Sequence, residues 1–236
     1  MGISITRSAA AAGLLLLSIY GLAAEPVRRV GIEVQPFYQA AREPGDQPQV
    51  GVGKQFNDLL ASNRREDILA VRDLITAKPG TVTPMTLMVL AIRFYDVGLR
   101  DDAVFWFYAA KDRYIVFSDV ADVKAPVLQQ ADDAMRAFAT LAGPIINGYA
   151  FCDLAKQQAQ HAKAVEWVES NPYEVMFMDR LPAKPGDRAE NHKRALAEAK
   201  ERAAKERAYF ADPKNVAEFA ASRARNDMDA KFCWKS

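Results

Sequence analysis

Two cysteines, Cys152 and Cys233, are the clearest candidates for chemistry in this sequence of 236 residues. Neither has a Cys-x-x-Cys or other metal-ligand spacing, so the sequence predicts no metal site and no cofactor. In an oxidising compartment the two can form a disulfide that closes a loop of about 80 residues, for which chain entropy contributes ~4 kcal/mol or less. The alternative is a pair of unpaired thiols.

The two histidines give little sign of a catalytic site. His161 lies beside an apolar stripe on a predicted helix, and His192 falls at a heptad position among alanines. Both are predicted at helix boundaries or on the surface rather than as a base or a ligand. The sequence contains no His-Glu-x-x-His zinc motif and no Gly-x-Ser-x-Gly nucleophile motif. The segment Gly51–Lys54 lacks the glycine spacing and the hydroxyl residue of a phosphate loop.

Paired acidic residues have simple structural interpretations. Asp101-Asp102 and Asp132-Asp133 are predicted as helix caps and solvated faces. A helical bundle can still assemble a pair of hydrolytic carboxylates, because the fold rather than the spacing sets their geometry. A cell-envelope hydrolase, or an accessory subunit of one, therefore stays as an alternative, although the sequence favours a protein that is not an enzyme.

The first 24 residues have the pattern of an export signal. Arg7 precedes an apolar stretch from Ala9 to Ile19, and small residues lead into Glu25, which predicts cleavage after Ala23 or Ala24. The stretch is shorter than the roughly 20 residues of a membrane-spanning helix, so a retained anchor is the less favoured alternative. No later segment predicts a membrane span. We expect an exported protein, periplasmic or secreted in a bacterium, whose cysteines meet an oxidising space.

The charge balance bears on the class of partner. The chain has 31 Lys and Arg against 30 Asp and Glu, and the loss of Arg7 with the signal makes the two numbers equal. Nucleic acids and anionic membrane surfaces select proteins with a basic excess. We therefore expect another protein as the partner, and neither nucleic acid nor membrane.

After the signal, the sequence predicts an extended arm and then a single helical domain. Residues 25–53 contain several prolines and glycines, and Val30, Ile32 and Val34 alternate with other residues. This pattern indicates an extended arm or linker with one short strand. Helical spacing of apolar residues begins at Lys54, so residues 54–236 are predicted to be all-α.

Proline and aspartate mark several helix starts. Asp187 with Glu190 resembles a capping box and predicts a long charged helix over residues 187–210. A proline in the first turn of a helix is a strong start signal. It predicts helices that begin at Thr83-Pro84, Ala125-Pro126, Gly143-Pro144 and Asp212-Pro213.

Residues 84–117 have the alternation of large and small apolar residues that a close-packed helix pair requires. The positions are Leu87, Leu90, Ala91, Phe94, Ala103, Phe107 and Ala110. This hairpin resembles a tetratricopeptide repeat, and residues 102–110 also resemble its Sel1-like variant. Ile115 departs from the repeat's usual terminal proline, and only one unit is clear. The resemblance implies an irregular helical-repeat-like bundle of antiparallel helix pairs and, by analogy of fold, a binding scaffold.

Trp106 and Tyr108 lie in a run of consecutive aromatic residues that point all round their helix. This run indicates a central helix that is buried on most sides. The alternative is that Trp106 or Tyr108 lies on a groove and anchors a partner, since exposed Trp and Tyr are frequent binding hot spots. The sequence thus favours an exported protein-protein interaction module, for example an immunity-type protein that neutralises an effector. A structural protein of envelope maintenance is a further alternative.

Overall fold

A computed structural model describes residues 25–36 and 49–234 of the chain. The predicted signal peptide, residues 1–24, lies outside this part, as do residues 37–48 and the last two residues. The described part contains nine α-helices and one sheet of two short strands. The predicted all-α class is therefore confirmed.

The described residues of the N-terminal arm, 25–36 and 49–53, contain no helix, and they form two short strands where the sequence predicted one. After residues 25–32, strand β1 (Glu33–Pro36) pairs in parallel with β2 (Gln49–Val52). Ile32 and Val34 are buried and Glu33 is exposed, which is the alternation expected of a half-buried strand. Helices α1 (Lys54–Ala61) and α2 (Arg65–Ala77) follow, and α1 begins at Lys54, where the helical spacing of apolar residues begins in the sequence.

The arm also meets the opposite end of the chain. The backbone N–H of Val27 donates to the carbonyl of Lys231 at 2.7 Å. The carbonyl of Val27 accepts from the hydroxyl of Tyr95 at 2.8 Å. The guanidinium of Arg28 lies 5.9 Å from the centre of the Trp234 ring. The first and last described segments are thus bonded to each other.

Helices α3 (Pro84–Asp96) and α4 (Arg100–Val120) form the hairpin that the apolar spacing predicted. Thr83 caps α3 by accepting from the backbone N–H of Thr86 at 3.1 Å. Gly98 has a φ of +83°, in the left-handed region that favours glycine, and it reverses the chain between the two helices. The seven apolar positions noted in the sequence are all buried.

The second half of the chain contributes five helices, and α4 is the element around which most of them pack. Helix α4 contacts α3, α5, α6 and α7. No helix in the described ranges has both the length and the apolar character needed to cross a membrane. The remaining elements are α5 (Pro126–Ala150), α6 (Leu154–Ser170), a 3₁₀ helix (Glu174–Phe177), α7 (Arg188–Ala211), α8 (Pro213–Arg225) and α9 (Met228–Phe232).

The helix start predicted at Gly143-Pro144 is wrong, because α5 continues through Pro144. A proline lacks the backbone N–H and removes one hydrogen bond, but the turns on either side still form theirs. Pro144 is exposed, so its ring faces water. The break comes instead at Phe151–Asp153, where Asp153 caps α6 by accepting from the N–H of Lys156 at 2.9 Å.

Candidate functional site

Trp106 and Tyr108 lie in the core, which corrects their prediction as surface anchors. Each residue is only 3% exposed. The ring of Trp106 packs edge-to-face on Phe105 and Trp167, with centroids 5.1 and 5.2 Å apart. Because α4 is enclosed by neighbouring helices, neither side chain faces a groove. The structure agrees with the other interpretation, in which the aromatic run lies on a central helix that is buried on most sides.

Cys152 and Cys233 form a disulfide, as the sequence predicted, with their Cα atoms 5.6 Å apart. The bond fastens the end of α9 to the segment between α5 and α6. Nη2 of Arg223 lies 3.5 Å from one sulfur and 3.4 Å from the other. The disulfide therefore has a structural position at the junction of four helices. In residues 25–36 and 49–234 no group of three His, Cys, Asp or Glu side chains could hold a metal ion.

A buried ionic cluster lies between α4, α6 and α7, and the sequence did not reveal it. His161 is at its centre and is 6% exposed, so its prediction as a boundary or surface residue is wrong. Its Nε2 lies 3.1 Å from Oδ2 of Asp112, and its Nδ1 lies 3.6 Å from Oε1 of Glu206. The one signal in the sequence was Glu206, which interrupts the alanine stripe of α7.

The two carboxylates keep His161 charged at neutral pH. Burial alone lowers the pKa of His161, but the hydrogen bonds and charges of Asp112 and Glu206 outweigh this effect and raise its pKa to about 9. The hydrogen bond from His161 in turn lowers the pKa of Glu206. The ring of Tyr108 stacks on the imidazole with centroids 4.4 Å apart. An imidazolium between two carboxylates therefore joins three helices.

A hydrogen-bond chain leads from this ionic cluster to α5. Nε2 of Gln157 donates to Oε1 of Glu206 and to the hydroxyl of Tyr108, both at 2.8 Å. Since that hydroxyl accepts from Gln157, its own proton is donated to Oδ1 of Asn147 at 3.1 Å. His161, Asp112 and Glu206 line neither of the two cavities described below. The cluster, whose Glu206 side chain is only half-buried, is thus held by its own bonds, as a structural ionic network is.

The exposed apolar side chains concentrate around one groove between the start of α5 and the 3₁₀ helix. Five large apolar side chains of the described residues are exposed, and three of them line this groove: Val127, Phe177 and Met178. The groove has a volume of about 560 Å³. We call it the apolar groove; its other lining residues are Leu128, Val175, Asp179, Arg180, Leu181 and Pro182.

The loop that forms one wall of the apolar groove is firmly held. Arg188 donates to the carbonyls of Met176 and Leu181 at 2.8 and 2.6 Å. The N–H of Asp122 donates to the carbonyl of Pro182 at 3.0 Å, and the loop forms a β-bridge between Ala121 and Ala183. The exposed apolar residues of this loop therefore lie on a fixed backbone.

Comparison with known proteins shows a relative that aligns over most of this chain. An uncharacterized protein of Haemophilus influenzae strain Rd is 34% identical to this chain over 221 residues, which is 94% of this chain and 85% of the relative. No protein-family profile matches the chain, and no solved structure matches it. The aligned region covers nearly the whole chain. The chain therefore belongs to the same family as this Haemophilus influenzae protein.

Proposed function

We propose that the chain is an exported binding protein of the bacterial cell envelope that holds an apolar segment of a partner protein in the apolar groove. The observation that carries the proposal is the concentration of Val127, Phe177 and Met178 around one concave site. Single exposed apolar residues are ordinary on protein surfaces. A contiguous apolar patch that is rimmed by polar residues is typical of an interaction site.

The charges at the groove define the chemistry of the partner. Asp179 and Arg180 are the charged residues of the lining, and their charges cancel. The groove therefore selects neither a strongly acidic nor a strongly basic segment. Phe177 offers a rigid ring and Met178 an adaptable thioether. The occupant that fits is an apolar side-chain cluster of another protein, such as one face of an amphipathic helix.

The position of the ionic cluster supports a binding role over a hydrolase. His161 and Asp112 are buried, Glu206 is half-buried, and none of the three lines either cavity. A general base must lie within hydrogen-bond reach of the proton that it removes. The hairpin of α3 and α4, with its tetratricopeptide-like spacing, acts in this proposal as the scaffold. If the partner is an effector protein, this binding role is that of an immunity-type protein.

The test is capture of the partner by the mature chain, residues 25–236, from envelope extract of its own bacterium under non-reducing conditions. Val127→Asp and Met178→Asp place a charge in the groove at side chains that are 73% and 58% exposed, so neither disturbs the core. Leu74→Asp is the matched control, because Leu74 is also large, apolar and exposed but does not line the groove. Bound proteins are identified by mass spectrometry.

We expect one stoichiometric partner that both groove variants lose and the Leu74→Asp chain retains. Retention of the partner by the groove variants, or no partner at all, would refute the proposal. Export is tested separately by cell fractionation of the full chain and sequencing of its N-terminus. We expect a periplasmic or secreted product that begins at Ala24 or Glu25, and a cytoplasmic chain that keeps residues 1–24 would contradict export.

A further inference from the structure

A second cavity, of about 400 Å³, lies between the second half of α5 and α8, together with the segment that joins α8 to α9. We call it the α5–α8 cavity. Gly143 keeps it open: the residue is buried, yet a Cβ atom at this position would meet no other atom within 4 Å. The rings of Phe151 and Phe219 and the side chain of Met228 form the apolar part of its lining. The volume lies at the lower end of the range of small-ligand sites, which is roughly 300–1,000 Å³.

The cavity contains one buried cation, Arg223, which is 8% exposed. Its Nε and Nη2 bond the carboxylate of Asp229, at 2.9 and 2.8 Å, and Nη2 also donates to the carbonyl of Gly148 at 3.2 Å. Its Nη1 donates to no residue in the described part of the chain. This nitrogen is nevertheless accessible to solvent. A guanidinium with one free nitrogen in a cavity is a donor for an anionic group.

Asn147 supplies a second free donor to the same cavity. Its Oδ1 accepts the hydroxyl proton of Tyr108, and the orientation of that proton is fixed by Gln157 and Glu206. The amide Nδ2 of Asn147 is therefore left as a donor, and it has no acceptor among the residues that the structure describes. The buried ionic cluster thus determines which atom of Asn147 is available in the cavity.

We propose that the α5–α8 cavity binds a small carboxylic acid with an apolar or aromatic body. Arg223 Nη1 and Asn147 Nδ2 donate to the carboxylate, and Phe151, Phe219 and Met228 contact the body. Asp229 does not compete with the ligand for Nη1, because it bonds Nε and Nη2 on the other edge of the guanidinium. Its side chain is 70% exposed. Water screens the charge of Asp229, whereas the charge of Arg223 is enclosed.

The test uses the oxidised mature chain and three acids, phenylacetate, benzoate and N-acetylphenylalanine, each with its neutral amide. Affinities are measured by calorimetry and by ligand-observed NMR. We expect at least one acid to bind with a Kd below about 1 mM and its amide to bind about tenfold more weakly or worse. Failure of all three acids to bind, or equal affinity of acid and amide, would overturn the proposal.

Variants of this chain locate the binding. Arg223→Gln should reduce the affinity of the acid to that of the amide, whereas Arg225→Gln, the change of an exposed arginine on the same helix, should leave both affinities unaltered. Gly143→Leu fills the cavity and should abolish binding of acid and amide. It leaves the bonds of Arg223 to Asp229 and Gly148 in place. Binding that survives Gly143→Leu therefore overturns the proposal even if Arg223→Gln fails to fold, which thermal unfolding of each variant will reveal.

Discussion

Nε2 of His161 lies 3.1 Å from Oδ2 of Asp112, at a point in the core where both side chains are more than nine-tenths enclosed. A histidine enclosed without partners would be neutral, because burial disfavours its charged form. Here Asp112 from α4 and Glu206 from α7 both face the ring, so the charged form is retained. The contact between the three helices therefore depends on one proton.

The free energy of unfolding should fall as the pH rises from about 6.5 to about 9. The pKa of His161 is raised from 6.5 to about 9 in the folded chain. The charged His161 therefore stabilises the fold fully at a pH below the pKa that it has in the unfolded chain. This stabilisation, at most about 3 kcal/mol, is lost as the pH rises through the pKa that it has in the folded chain. Urea unfolding of wild type and His161→Gln at pH 6 and pH 9.5 measures the effect, and the variant should lack this fall.

His192 provides the control for the pH experiment. Burial lowers the pKa of His192, so the contribution of this residue to stability rises with pH and cannot produce a fall. His192→Gln should therefore keep the fall in stability of the wild-type chain. A wild-type stability that is constant from pH 6 to pH 9.5 would show that His161 is neutral in the folded protein.

Loss of the disulfide should lower the free energy of unfolding by about 2–4 kcal/mol. The bond between Cys152 and Cys233 closes a loop with a sequence separation of 81, which restricts the unfolded chain. Denaturant unfolding of the Cys152→Ala/Cys233→Ala double variant measures the effect. Wild type under a reducing agent should unfold at nearly the same denaturant concentration as the double variant. Equal stability of oxidised and reduced wild type would contradict the prediction.

Two glycines of α5 should respond in opposite ways to the same change. A Cβ at Gly148 would lie 2.6 Å from the ring of Phe232, whereas one at Gly143 would meet nothing within 4 Å. Gly148→Ala should therefore displace α9 and lower the melting temperature. Gly143→Ala should raise the free energy of unfolding by about 0.5–1 kcal/mol, since alanine favours a helix. Thermal unfolding of the two variants checks both, and equal effects would refute the packing described for Gly148.

Arg113 should not tolerate replacement by lysine. Its guanidinium donates to the carbonyls of Pro79, Val82 and Asn171 from a position that is almost fully buried. A single ammonium group cannot reach all three acceptors, so Arg113→Lys should cost about 2–4 kcal/mol of unfolding free energy. Arg136→Lys, on the exposed face of α5, should cost less than about 0.5 kcal/mol. Denaturant unfolding compares the two variants; similar values would contradict the role of Arg113.

The sequence predicted the elements whose signals are local. The starts at Thr83-Pro84 and Asp212-Pro213 were found because a proline in the first turn is a local signal, and each side chain before it caps a backbone N–H only two or three residues along the chain. Gly143-Pro144 resembles these starts, but whether a helix continues through a proline depends on the packing of the turns on both sides. The local pattern does not contain that information, so the break at Asp153 was missed.

The ionic cluster and the apolar groove could not be predicted without the fold. His161 meets Asp112 across 49 positions, and helical spacing reports only the neighbours on one helix. The apolar groove combines Val127 from α5 with Phe177 and Met178 from a loop, and no periodic pattern connects them. Cys152 and Cys233 were paired correctly because a chain with two cysteines allows only one intramolecular disulfide.

The bond between Val27 and Lys231 joins the first described segment to the last helix. Lys231 is synthesised long after Val27, so this contact cannot form until the ribosome has passed α9. Before that point Tyr95 can already donate to the carbonyl of Val27, but the N–H of Val27 still lacks its acceptor. A chain truncated before α9 would therefore hold its arm by one side of this residue alone.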